Sequence, residues 1–181
     1  MNKLKEELRY VNRNKIKEIS DDIINNKYKF EDLLELALSK NEYTGLHASV
    51  IVLNIAKNKA DLVEKHIDKI INSLPKLEDQ GQIGNFLEIF ELLKTDISAL
   101  CPFFKILLAN PDIKPFLKID ILNVLRGLAH IKPEKIQEII DVIETTYNTY
   151  NTNYLQKTAD VTLVELKDLE LISKKKKSAF L

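Results

Sequence analysis

The feature that most constrains the fold is a set of apolar residues that recurs every 35 to 37 positions along the chain. The first series is separated by 37, 37 and 35 residues and consists of Phe30, Ile67, Phe104 and Ile139. Four further series, which we group with the first as the ladder, are Leu33, Ile70, Leu107 and Val142; Leu34, Ile71, Leu108 and Ile143; Ile16, Leu53, Phe90 and Leu125; and Ile19, Ala56, Leu93 and Leu128. Such periods are typical of stacked helical repeats, because each repeat buries its apolar face against its neighbours.

Composition agrees with an all-α fold. The chain has 181 residues, of which 45% are hydrophobic, and only four Gly and five Pro, too few for a loop-rich β protein. Its beginning lacks an apolar segment behind the basic residues, and no stretch approaches the roughly 20 apolar residues of a membrane span. The single cysteine, Cys101, fits a reducing compartment. We therefore expect a cytoplasmic protein that does not enter a membrane.

Apolar spacing and turn residues predict where the helices lie. We expect a leading helix over 2–11, helix pairs over 14–40, 43–74, 80–109 and 115–147, and a half repeat over 154–172. Pro75 and Pro111 end helices, whereas Pro115 and Pro133 lie in first turns, where a missing amide hydrogen costs little. These elements form one predicted repeat domain, 1–173, followed by a basic tail, 174–181. The alternative is a closed helical bundle that produces the ladder by chance, but one spacing that fits both helices of each pair favours a solenoid.

The repeats resemble those of the HEAT and HEAT-like family. The resemblance is carried by helix pairs such as Gly45-Leu-His-Ala-Ser-Val-Ile-Val-Leu-Asn-Ile-Ala followed by Asp61-Leu-Val-Glu-Lys-His-Ile-Asp-Lys-Ile-Ile, and it covers nearly all of the chain. It implies an α-α superhelix that acts as a scaffold or adaptor, with the second helix of each pair lining a concave binding surface. The resemblance names no ligand.

Positions beside the ladder on the second helices are then the candidates for binding a protein or peptide. The second and third pairs supply His66, Lys69, Phe103, Lys105 and Ile106. The helix around Phe103 has Lys105 as its one charge, so it is either buried on every side or carries an apolar patch that another molecule covers. A homodimer through this patch is one possible form of that contact. The partner remains an unknown protein or peptide.

No pattern in the sequence indicates catalytic or metal-binding residues, so we expect a noncatalytic protein without a cofactor. His47, His66 and His130 are far apart and have no metal-ligand spacing. The alternative function is nucleic-acid binding, similar to the HEAT-like DNA glycosylases, and it rests on Lys174–Lys177 and three tyrosines, Tyr147, Tyr150 and Tyr154. Lys and Arg equal Asp and Glu at 27 each, which makes nucleic acid the weaker expectation. A HEAT-like lyase would rest on fold analogy alone.

Overall fold

The computed structural model describes residues 2–40 and 42–178, and among these it contains eleven α-helices, four short 3₁₀ turns and no strand. The all-α class expected from composition is therefore confirmed. The chain folds as two compact units, which are Met1–Leu93, called unit 1, and Lys94–Leu181, called unit 2. The expected single repeat domain over 1–173 stays a prediction. No helix in the described part of the chain is long and apolar enough to cross a membrane.

Unit 1 contains seven α-helices within its described residues. They are α1 (Asn2–Glu7), α2 (Arg13–Ile24), α3 (Phe30–Ala37), α4 (Glu42–Asn58), α5 (Ala60–Glu64), α6 (Ile67–Ser73) and α7 (Gln80–Leu93), with a 3₁₀ turn at Leu74–Lys76. Helix α2 begins where the Asn12 side chain accepts a hydrogen bond from the Lys15 amide at 2.9 Å, and the left-handed Asn26, with φ of 62°, follows its end. Helix α4 is the centre of the unit, since α2, α3 and α7 all pack against it.

The second helix of the second pair differs from the prediction. The pair predicted over 43–74 has one continuous second helix, from Asp61 to Leu74, but the chain forms α5 and α6 with a break at Lys65 and His66. His66 leaves helical geometry with φ of −116° and ψ of 10°, and its amide bonds to the Val63 carbonyl three residues back. Its ring lies 5.2 Å from the Phe30 ring of α3, so the break accompanies a tertiary contact rather than a Pro or Gly.

Unit 2 contains four α-helices in its described residues. They are α8 (Cys101–Ala109), α9 (Pro115–Ile131), α10 (Ile136–Thr146) and α11 (Asn153–Ser178), with 3₁₀ turns at Ser98–Leu100, Pro133–Lys135 and Tyr147–Thr149. Helix α9 packs against α11, and α10 packs against both α8 and α11. Helix α11 continues to Ser178 rather than ending near residue 172, so residues Lys174–Lys177 of the expected basic tail have a helical backbone. Residues 179–181 of that tail lie outside the described residues.

Most ladder residues form the apolar cores of the two units. Leu33, Leu34, Phe104 and Ile139 are fully buried. The ladder positions that remain partly exposed are Ile16, Ile67, Ile71 and Leu93. Within each unit, helices that are one repeat apart also pack against each other, as α2 and α7 do with α4, and α9 does with α11. This is the neighbour relation that stacked repeats require, whereas the superhelix itself stays a prediction.

Candidate functional site

The outer surface of α8 is exposed, as one of the two sequence interpretations required. Ile106 is 66% exposed, and Pro102, Lys105 and Ala109 are exposed beside it, while Phe103 is half-buried. We call these five residues the α8 face. The opposite side of the helix is buried through Cys101, Phe104, Leu107 and Leu108. The apolar character of α8 therefore has two causes, a core contact on one side and a surface patch on the other.

Local structure before α8 explains how this face is presented. The Asp96 carboxylate accepts a hydrogen bond from the Ser98 amide at 3.1 Å and starts the 3₁₀ turn that leads into the helix. Pro102 lies in the first turn of α8, where its missing amide hydrogen needs no partner. The Phe103 ring packs against the Phe104 ring, with 6.0 Å between the ring centres. Phe103 is thus partly fixed by the core, whereas the other four members of the face are exposed.

The other two candidates belong to unit 1 and already have partners there. The His66 Nε2 lies 3.7 Å from the Glu31 carboxylate, and the Lys69 Nζ lies 3.9 Å from that of Glu35. Both acids are on α3, one helical turn apart, so the two pairs join α3 to the α6 segment. These contacts give His66 and Lys69 a structural role within unit 1. The α8 face is in unit 2.

A groove between α2 and α4 is a feature that sequence analysis missed. Its volume is about 520 Å³, and its apolar lining consists of Ile16, Val50 and Leu53. The polar lining consists of Arg13, Asn14, Lys17, Asp21, Asn54, Lys57 and Asn58. Arg13 and Lys17 are four residues apart on α2, as are Asn54 and Asn58 on α4, and this paired spacing is the signal that could have found the groove.

Hydrogen bonds orient the amide groups of this groove. The Ser20 hydroxyl donates to the Ile16 carbonyl, so it must accept from the Asn54 amide nitrogen at 2.8 Å. The Asn58 side-chain Nδ2 donates to the backbone carbonyl of Asn54 at 2.7 Å. Both Oδ1 atoms therefore remain free to accept within the described part of the chain, and Arg13 and Lys17 form no ion pair there. The groove therefore presents cationic groups and amide acceptors together with one carboxylate, that of Asp21.

Comparison with known proteins adds no identity. No protein-family model, curated protein or solved structure matches the chain. Membership of the HEAT-like family is accordingly a proposal.

A lysine of unit 2, Lys118, is buried. Lys118 is 1% exposed, and its Nζ donates to the Leu108 carbonyl at the end of α8, at 2.7 Å, while lying 5.9 Å from the centre of the Tyr150 ring. Burial lowers the pKa of this ammonium group. The Thr149 hydroxyl donates to the same carbonyl at 2.7 Å. Lys118 therefore acts as a cap on the C-terminal end of α8, where a cation is favourable, rather than as a group facing a cleft.

The remaining chemically interesting residues give no reactive site. Burial raises the pKa of the Cys101 thiol to about 11, which leaves it protonated and unreactive near neutral pH. No group of three or more potential metal ligands occurs among the described residues.

The tyrosines proposed for nucleic-acid binding do not share one surface. Tyr150 is buried and its hydroxyl lies 2.8 Å from that of Thr146, while the Tyr147 hydroxyl donates to Asp160 at 2.7 Å. Tyr154 is 69% exposed. Lys174 pairs with Glu170 at 2.7 Å, and the side chains of residues 175–177 lie outside the described residues. Of the three tyrosines, Tyr154 is exposed, Tyr147 is half-buried and Tyr150 is buried.

Proposed function

We propose that the chain is a noncatalytic interaction module that binds a protein or peptide partner through the α8 face. The observation that carries this proposal is the 66% exposure of Ile106 on a face whose one charge is Lys105. Burying an aliphatic side chain of this size against a partner contributes about 1.5–3 kcal/mol, enough for a binding hot spot. Phe103, half-buried beside it, extends the apolar contact.

The chemistry of the face limits the kind of partner. Lys105 forms no ion pair with another described residue, so a carboxylate on the partner would complement it at the rim of the contact. The expected partner is thus a protein segment that presents apolar side chains with an acidic group beside them. The HEAT-like scaffold assignment belongs to this proposal, with α8 as the second helix of the third repeat. A cytoplasmic location is also part of it, on the ground of the single cysteine.

The test is a pull-down of the tagged full chain from its native cell extract, with and without nuclease. Ile106→Asp should lose the partner and keep the wild-type circular dichroism spectrum, because Ile106 contributes little to the core. Leu92→Asp is the matched control, since Leu92 is also an exposed aliphatic side chain, 46% exposed, but lies on α7 of unit 1. Phe103→Asp is less suitable because it would also disturb the contact with Phe104.

The outcomes separate the candidate functions. A protein that survives nuclease, binds the wild type and Leu92→Asp, and is lost by Ile106→Asp supports the α8 face. Equal capture by wild type and Ile106→Asp contradicts it. Material that disappears with nuclease would favour the nucleic-acid alternative.

A further inference from the structure

Helix α11 carries a second apolar surface, on the side that faces away from its own unit. The large side chains exposed on this surface range from 52% to 69% exposed and are Tyr154, Val161, Val164, Leu171 and Ile172. We call them the α11 stripe. The side of α11 that packs on the unit is formed by Leu155, Ala159, Thr162 and Leu166, which are all buried. At about 100° per residue, the stripe occupies an arc of about 100° that is separate from the buried side.

The spacing of the stripe is that of a coiled-coil seam. Tyr154 and Val161 are seven residues apart, as are Val164 and Leu171, and Val164 follows Val161 by three. These are the alternating three- and four-residue steps of a and d positions in heptads. Two charged residues, Lys157 and Asp168, complete the same a and d series. Both are exposed, and neither forms an ion pair with another described residue.

The order of residues along this seam is self-complementary. Three pairs share one midpoint, between residues 162 and 163, and they are Tyr154 with Leu171, Lys157 with Asp168, and Val161 with Val164. When two antiparallel copies of α11 are related by a two-fold axis through this midpoint, each residue faces its pair member in the other copy. Every apolar residue at an a or d position then meets another apolar residue. Each lysine meets an aspartate, and the two-fold axis makes this ion pair occur twice.

We propose that the chain forms a homodimer through antiparallel pairing of the α11 stripes. The contact from Tyr154 to Leu171 is about 26 Å long, since a helix rises about 1.5 Å per residue. One helix pair of this length is smaller than the standard interface of about 800 Å² per partner, so the dimer should be weak, with a Kd on the order of 10 µM. A parallel pair would place Lys157 against Lys157 and Asp168 against Asp168, and these like charges disfavour it.

The experiment is sedimentation equilibrium of the full chain from about 1 to 300 µM, a range chosen to bracket the expected weak Kd. The wild type should shift from the monomer mass of 20.9 kDa towards twice that mass. Lys157→Glu and Asp168→Lys should each weaken the dimer at least about fivefold, because two like-charge contacts replace two ion pairs. The double variant Lys157→Glu/Asp168→Lys restores both pairs with reversed sign and should return the Kd to within about threefold of the wild type.

Two further variants test whether the dimer forms through the α11 stripe or through a different surface of the chain. Val161→Asp should abolish the dimer without loss of helix content, since Val161 is 54% exposed. Lys65→Glu is the matched control, because it changes the same charge at an exposed lysine of unit 1 and should leave the Kd unchanged. A monomer at every concentration would overturn the proposal. A dimer that withstands Val161→Asp, or single charge reversals that the double variant does not rescue, would overturn it as well. Ile106→Asp should leave the dimer intact, so a failure of this proposal and a failure of the α8 face are distinguishable.

Discussion

A methyl group added at Gly45 should cost more stability than one added at Gly81 or Gly127. A Cβ at residue 45 would lie 2.8 Å from the Ser39 backbone carbonyl oxygen and 2.9 Å from the Gln82 amide nitrogen. That nitrogen donates to the carbonyls of Ala37 and Ser39, and Gln82 is 1% exposed. Gln82 thus caps the end of α3 from its position on α7, and Gly45 of α4 leaves the space in which it does so.

The magnitude follows from three contributions to the free energy of unfolding of unit 1. Gly45→Ala gains up to about 1 kcal/mol of helix propensity. Overpacking against backbone costs about 1–3 kcal/mol, since the Ser39 carbonyl cannot rotate away as a flexible side chain would. Displacing Gln82 leaves buried carbonyls unpaired, which costs about 1–3 kcal/mol. We expect a net loss of about 3 kcal/mol, or a urea midpoint about 1.5 M lower for unit 1.

The assay is urea unfolding followed by far-UV circular dichroism. Gly127→Ala is the control, because nothing lies within 4 Å of a Cβ at this position of α9, and it should gain about 0.5–1 kcal/mol. Gln82→Ala alone should cost about 1–3 kcal/mol, and combined with Gly45→Ala it should cost less than the sum of the two, since both remove the same cap. A Gly45→Ala variant as stable as the wild type would refute the role assigned to this close approach.

Three other predictions concern the cores of the units. Burial lowers the pKa of Lys118 below 10.5 in the folded state, so between the folded and the unfolded pKa the folded protein binds fewer protons than the unfolded chain. The free energy of unfolding should therefore rise with pH through that window, and urea unfolding of Lys118→Met should not show this rise. Cys101, with a pKa of about 11, should react with a thiol reagent at pH 8 only after denaturation, and rapid reaction of the native protein would contradict its burial. Leu34→Ala should cost about 2–5 kcal/mol, whereas Leu92→Ala should cost under about 0.5 kcal/mol, because Leu34 is fully buried and Leu92 is 46% exposed.

Repeat spacing predicted most helices because the residues that recur at this spacing are the apolar ones that each helix buries. Phe104 and Ile139, which define the clearest series, are both fully buried. The break at His66 was not predictable in the same way, because it accompanies a contact with Phe30, which lies far away in the sequence. Periodicity also leaves the environment of a residue open. It marked the helix around Phe103 as apolar, yet could not say that Ile106 faces outward while Leu107 is buried.

The α11 stripe was missed for a related reason. Extended by 38 positions beyond Leu125 and Leu128, the ladder reaches Leu163 and Leu166 of this helix, and Leu166 is buried. A heptad series on the other side of the same helix is hidden when only the repeat period is followed. A search for a second periodicity within single helices would have revealed Val161, Val164 and Leu171.

Polar contacts join α2 to α4 and α4 to α7, the first helices of successive predicted pairs, and they add a directional constraint to the apolar packing. Asn85 of α7 donates to the Ser49 hydroxyl at 2.8 Å, and Asn54 of α4 donates to the Ser20 hydroxyl at 2.8 Å. Each serine in turn donates to a backbone carbonyl of its own helix. Each asparagine lies about one repeat from its serine, 34 and 36 residues away, but the two asparagines are 31 residues apart and the two serines 29, so the contact does not recur at the ladder period. Apolar contacts are non-directional, whereas a hydrogen bond requires a specific distance and angle and is lost when the helices shift. We infer that the ladder drives the packing of α2, α4 and α7, and that these asparagine–serine pairs select its register.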